Sequence, residues 1–143
     1  MDLRINERDF NRFADALEYA ELAYNDIYDI RYNEFISNKQ LIDATIRRVE
    51  IVGEALGHIS EETKKRYPEV PYTTAKNMRN ILTHAYSTIR LEDVYETVIK
   101  NFPNLISNIQ FICNTNKLHI EDIDDTEHYH QQNQSNETQI NPQ

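Results

Sequence analysis

Residues that turn a chain sharply are scarce in this sequence, which holds two glycines, Gly53 and Gly57, and four prolines, Pro68, Pro71, Pro103 and Pro142. Hairpins and tight turns draw on glycine and proline at fixed positions. Long helices joined by short connections are therefore the architecture the chain favours. Its 143 residues suffice for one domain with its own core and are too few to expect two. The single cysteine, Cys113, can form no internal disulfide. The opening Met1-Asp2-Leu3-Arg4-Ile5-Asn6 is too polar for the apolar part of a signal peptide, so a cytoplasmic location is expected. No run approaches the roughly 18 apolar residues of a membrane span, and a soluble protein without a membrane partner is expected.

Periodicity places the helices. Phe10, Phe13, Ala14, Leu17, Ala20, Leu22, Ala23 and Ile27 recur at helical spacing, which predicts one long helix from Arg8 to Tyr32, capped by Asn6 with Asp9 in the electropositive first turn. A second helix is predicted from near Ser37-Asn38 through Leu41, Ile42, Ile46, Val49, Val52, Leu56 and Ile59. Its Gly53 and Gly57 lie four apart and either admit a neighbouring helix closely or merely weaken their own. Ser60 to Tyr67 reads as a short extra helix, with Ser60 as cap, acids before bases, and Pro68 as its stop. A third long helix starts around Tyr72-Thr73, and a fourth runs from about Leu91 to Cys113, with Pro103 kinking or dividing it. The fold expected is all-α: an up-and-down four-helix bundle with a short extra helix, occupying residues 1–118.

Residues 119–143 read as a separate tail. The segment 121–143 carries six acids and no lysine or arginine, so the rest of the chain holds only −3 of the net −9. The tail is rich in Gln and Asn with little to bury, which predicts disorder from about Asp122. His119, His128 and His130 beside these acids fall short of a metal site, because no packed scaffold would fix ligand geometry. A nucleic-acid partner would need a local basic patch rather than a basic protein.

The chemistry concentrates in Arg79-Asn80-Ile81-Leu82-Thr83-His84-Ala85-Tyr86. Arginine forks onto phosphate oxygens and histidine moves protons near neutral pH. Met78, Ile81, Leu82 and Ala85 form the apolar stripe; Arg79, Thr83 and Tyr86 form one polar row and Asn80, His84 and Ser87 another. Arg79 and His84 lie ~140° apart around an ideal helix. Two copies packed across a two-fold axis would bring both types of group to one cleft, as would a helix that loosens near His84. Taken singly, each residue has a plainer reading: Arg79 in an ion pair, Asn80 cross-linking helices, His84 as a buried hydrogen-bonded histidine, Tyr86 packing with its hydroxyl at the surface. Glu50 and Glu54, one turn apart, lack the histidine partners of a bundle di-metal centre and read as a solvated face. Arg47, Arg48 and Lys64-Lys65-Arg66 are candidates for an RNA-contacting patch or for simple solvated charge. Tyr19, Tyr24, Tyr28 and Tyr32 read mainly as core or interface aromatics.

Three stretches together resemble the HepT-like toxins of the HEPN superfamily, small helical ribonucleases of prokaryotes. They are Val49 to Leu56, Ser60-Glu61-Glu62 followed by Tyr67-Pro68-Glu69-Val70-Pro71-Tyr72, and Met78 to Tyr86; the last matches the family signature of Arg, four residues, His, one residue, Tyr. The resemblance implies a homodimer with Arg and His in an interfacial cleft and cleavage of RNA, tRNA or mRNA, without metal or other cofactor. Position by position, it makes Arg79 the phosphate-stabilising cation, His84 the proton-transfer residue and Asn80 an orienting group. It makes Tyr86 the acceptor of AMP from a companion minimal nucleotidyltransferase antitoxin. A mechanism using the ribose 2′-hydroxyl spares DNA. The alternatives are a non-catalytic nucleotide-binding partner subunit of such a transferase and a plain interaction bundle.

Overall fold

The structure, a computed structural model, describes residues 4–84 and 88–117, without the side chains of 81–84. All regular structure among the described residues is helical: α1 (Glu7–Ile27), α2 (Tyr32–Ile36), α3 (Lys39–Gly57), α4 (Glu61–Arg66), α5 (Tyr72–His84), α6 (Leu91–Glu96), a π-helical turn at Thr97–Asn101, and α7 over 102–117. The expected tail, 119–143, lies outside the described residues. None of these helices is long and apolar enough to cross a membrane.

Two of the sequence-derived starts, at Asn6 and Ser60, stand on the caps expected for them, and the second helix starts on a cap at Asn38. The Asn6 side chain accepts from the Asp9 amide, Asn38 from Leu41, and Ser60 from Thr63, each satisfying an amide that the first turn leaves without a helical partner. The first helix is a correction, for it ends at Ile27 rather than Tyr32. The Ile30 amide bonds back to Ile27 in a turn, and α2 then starts a separate short helix. Tertiary contacts reward that break. Phe35 becomes fully buried, Tyr32 and Phe35 meet the Tyr95 ring at 5.5 and 5.4 Å, and the Tyr95 hydroxyl donates to the Ile30 carbonyl at 2.5 Å.

The last long helix is divided as expected, one turn before its proline. Pro103 has no amide hydrogen, and its ring would collide with the carbonyl four residues back. The backbone widens ahead of it, so that the Phe102 amide reaches the Thr97 carbonyl five residues back, a π-bulge of the kind that accommodates such a misfit.

Long-range bonds fix the helix directions. Asp9 near the start of α1 bonds Ser60 just past α3, and Gly53 and Gly57 of α3 face Arg79 and Lys76 of α5 in reversed order. Ile5, ahead of α1, bonds Asn116 at the end of α7. Neighbouring long helices thus run antiparallel, with α3 packed between α1 and α5. Phe13, Ala16, Ala20, Ile27, Val52, Leu56, Val98, Phe102, Ile109 and Ile112 meet in a single core.

Two buried polar residues pin the end of the bundle from which α5 departs. The Asp9 carboxylate, 1% exposed, accepts from the Ser60 amide (3.1 Å) and hydroxyl (2.5 Å), the Thr63 hydroxyl (2.5 Å) and the Asn6 amide (3.1 Å). Burial pushes this carboxyl up, but the hydrogen bonds from Ser60, Thr63 and Asn6 outweigh it and hold it below the usual carboxylate range. Asn116, equally buried, accepts from the Ile5 amide and donates to the Tyr67 hydroxyl and the Ile112 carbonyl. The orientation of α4 and of the connector to α5 follows from these bonds.

Candidate active site

The site is set by how closely α5 lies on α3. A Cβ built at Gly53 would stand 2.4 Å from the Ala75 carbonyl oxygen and 2.7 Å from the Arg79 Cβ, so only glycine admits this crossing. At Gly57 the nearest atom is the Lys76 Cγ at 3.8 Å, an ordinary contact. Of the two readings of the glycine pair, close approach holds for Gly53 and is not required at Gly57. The start of α5 is fixed separately. The Tyr72 hydroxyl donates to the Tyr67 carbonyl at 2.8 Å, and burial raises its pKa and keeps that donor protonated.

Arg79 is half-buried against Gly53, and its guanidinium donates to the Asn80 Oδ1 at 3.1 Å. No carboxylate lies within ion-pairing distance of it among the described residues. The ion-pair reading of Arg79 thus finds no partner among the described residues. Asn80 is itself half-buried and acts as the acceptor that steers the guanidinium. His84 is the last residue of α5. The backbone remains α-helical up to it, so its Cα keeps the ~140° offset from Arg79 of an α-helix. The His84 side chain and all of Tyr86 lie outside the described residues, as do Ala85 and Ser87.

Of the basic candidates, Arg47, Arg48 and Arg66 are engaged within the fold. Arg47 pairs with Glu50 at 3.0 Å within α3, and Arg48 ties α3 to α1 through Asp26 and the Leu22 carbonyl. Arg66 pairs with Glu62 at 2.6 Å and donates to the Arg4 carbonyl. Among the described residues no three His, Cys, Asp or Glu side chains gather as a metal would need. Tyr24 stacks on Tyr28, which is 59% exposed, so these aromatics lie at the margin of the core rather than inside it. Sequence reasoning missed a groove of about 560 Å³ between α1 and α3, lined by Arg8, Arg12, Asp15, Tyr19, Glu54 and His58, where the buried Arg12 Nε has no partner. The signal was present: Arg8, Arg12, Asp15 and Tyr19 follow one another at helical spacing.

The described residues thus form an antiparallel all-α bundle whose third long helix carries Arg79 and, five residues on, His84. The model of the family described as ribonuclease HepT-like matches residues 15–112, and the chain belongs to that family. It is 34% identical over 109 residues to the Putative RNase MJ1380 of Methanocaldococcus jannaschii, covering 76% of this chain and all of that protein. It is 33% identical over 91 residues to the Probable ribonuclease HepT of Thermococcus cleftensis, covering 64% of this chain and 83% of that protein. The Putative RNase TTE0752 of Caldanaerobacter subterraneus is 27% identical over 101 residues, 71% of this chain and 90% of its own length. No solved structure matches the chain.

Proposed function

We propose that this chain is the toxin of a toxin-antitoxin pair, an endoribonuclease that cuts tRNA or mRNA without a metal ion, and that it works as a homodimer. The observation that carries the reading is Arg79: a half-buried guanidinium, seated on Gly53, steered by Asn80 and free of any carboxylate among the described residues. A fixed cation of this kind stabilises charge that develops on a phosphate in the transition state. In the proposed reaction His84 removes the proton from a ribose 2′-hydroxyl, whose oxygen attacks the adjacent phosphorus. The bond to the 5′-oxygen breaks, that oxygen leaves as a hydroxyl after protonation, and a 2′,3′-cyclic phosphate remains. The described backbone is helical from Arg79 to His84, which favours the arrangement in which two copies share a cleft over one in which the helix loosens within that stretch.

Tyr86 is the proposed switch. Its hydroxyl takes AMP from ATP through a nucleotidyltransferase antitoxin, with release of pyrophosphate. In a continuous helix it would stand ~10 Å along the axis from Arg79, near enough for the added phosphate to occupy that cation and for the adenosine to fill the entrance. The test is cleavage of a labelled tRNA pool in EDTA. The wild type is expected to cut, His84→Ala and Arg79→Ala are not, and AMP-modified protein is expected to be silent while remaining folded. Cutting by either variant at the wild-type rate would refute the assigned roles. Nucleotide binding by both variants, with no cutting by the wild type, would favour a non-catalytic partner subunit.

A further inference from the structure

Arg79 is the end of a line of positive charge. Tyr72, Lys76 and Arg79 follow at i, i+4 and i+7 on α5, and two of them are seated on the glycine stripe of α3, Lys76 over Gly57 and Arg79 over Gly53. At the far end Lys64 of α4 places its Nζ 5.6 Å from the centre of the Tyr72 ring. Lys76 is exposed and makes no ion pair among the described residues. Among the described residues Lys64 ion-pairs with Glu61, at 3.4 Å, in a pair whose carboxylate is 83% exposed, and such pairs yield readily to a stronger anion. Two of the neighbouring acids are engaged elsewhere, while Glu69 remains close enough to act on Tyr72. Glu50 is held by Arg47, and Glu54 lines the groove toward α1.

We propose that this row, Lys64, Lys76 and Arg79, is a track for the phosphates of a single RNA strand that leads its backbone to the cleavage centre. The inference rests on the ribonuclease reading and adds to it where the strand lies. Lys76 stands ~4.5 Å along the helix from Arg79 and Tyr72 ~10 Å, while a stacked strand carries one charge per ~3.4 Å. The row thus spans about three phosphate steps on one side of the cut. It also accounts for how an acidic protein holds RNA, by a local line of cations rather than by net charge.

The test uses the full chain and a labelled RNA oligonucleotide bearing 2′-O-methyl groups throughout, which has no attacking hydroxyl, with binding followed by fluorescence anisotropy as salt is raised from about 50 to 200 mM. Lys76→Gln is expected to weaken binding about threefold and to flatten the slope of log affinity against log salt by about 0.7, the value of one single-strand phosphate contact. Lys64→Gln is expected to act in the same direction and Lys76→Arg to restore binding. Lys39→Gln, at the opposite end of α3, is expected to leave both quantities unchanged. Circular dichroism checks that each variant is folded. If Lys76→Gln and Lys76→Glu bind with wild-type affinity and slope, the track is refuted, and cutting of tRNA by the same preparation would leave the ribonuclease reading standing. A slope that depends on Lys76 in a protein that cuts nothing upholds the track and refutes the nuclease. Absence of any RNA binding refutes the track whatever the cleavage result.

Discussion

Replacing Gly53 by alanine is the smallest change that should disturb both the fold and the site. The added methyl would lie 2.4 Å from the Ala75 carbonyl oxygen and 2.7 Å from the Arg79 Cβ, and both are fixed by the α5 backbone rather than by the end of a flexible chain. The helices must separate by roughly an ångström. Overpacking of this kind costs about 1 to 3 kcal/mol, against which alanine contributes up to ~1 kcal/mol of better helix propensity. With the offset taken in full, the net expectation is a loss of up to about 2 kcal/mol, read as a fall in Tm of up to roughly 8 °C for a domain of this size. Arg79, the proposed phosphate-stabilising cation, rides on the displaced helix, and if it has that role a shift of this order costs up to ~100-fold in rate. Gly57→Ala is the internal control. Its Cβ would meet only Lys76 side-chain carbons at 3.8 and 3.9 Å, so it should leave Tm unchanged or raise it. Calorimetry on the two variants, with RNA cleavage measured well below both transitions, decides the matter. A Gly53→Ala protein as stable as Gly57→Ala would refute the claim that glycine sets the helix crossing.

Asp9→Asn should lower stability at neutral pH. The depressed carboxyl pKa means that the stabilisation is present above the unfolded value near 3.8 and is lost as pH falls through the folded value below it; urea midpoints of mutant and wild type should therefore converge only in that acid range. Midpoints differing by a constant amount from neutral pH down to the acid limit would contradict this. Asn116→Leu leaves the buried Ile5 amide without its acceptor and should cost about 1 to 3 kcal/mol in urea denaturation; a neutral result would show that the amide finds another partner. Burial pushes the Cys113 thiol up to about 11, so iodoacetamide should label it in denatured protein and hardly at all in the native state. Rapid native labelling, followed by mass spectrometry, would show that α7 opens.

The parts of the fold legible in the sequence were those that local chemistry dictates. Asn6, Asn38 and Ser60 announce helix starts because their side chains replace missing backbone partners, and Pro103 announces a disturbance because it lacks an amide hydrogen. The end of α1 was not legible. Nothing between Ile27 and Tyr32 forbids helix, and the chain breaks there because Phe35 and Tyr95 reward the break from a distance in sequence. The Asp9 network escaped for the same reason, since a carboxylate in a first turn looks like a helix-dipole partner until Ser60 and Thr63 are brought to it. At the site, the residue types and their register on α5 were readable, whereas the Gly53 contact and the lack of a carboxylate beside Arg79 among the described residues were not, because both depend on how α3 meets α5.

The most direct measurement is cleavage, in EDTA, of a short RNA and of the same RNA with one 2′-deoxy sugar at the mapped cut. The account predicts that the wild type cuts the first, leaving a 2′,3′-cyclic phosphate and a 5′-hydroxyl, and that it spares the second. It also predicts that Arg79→Ala and His84→Ala cut neither. Cutting of the deoxy-substituted RNA at the same position would contradict it.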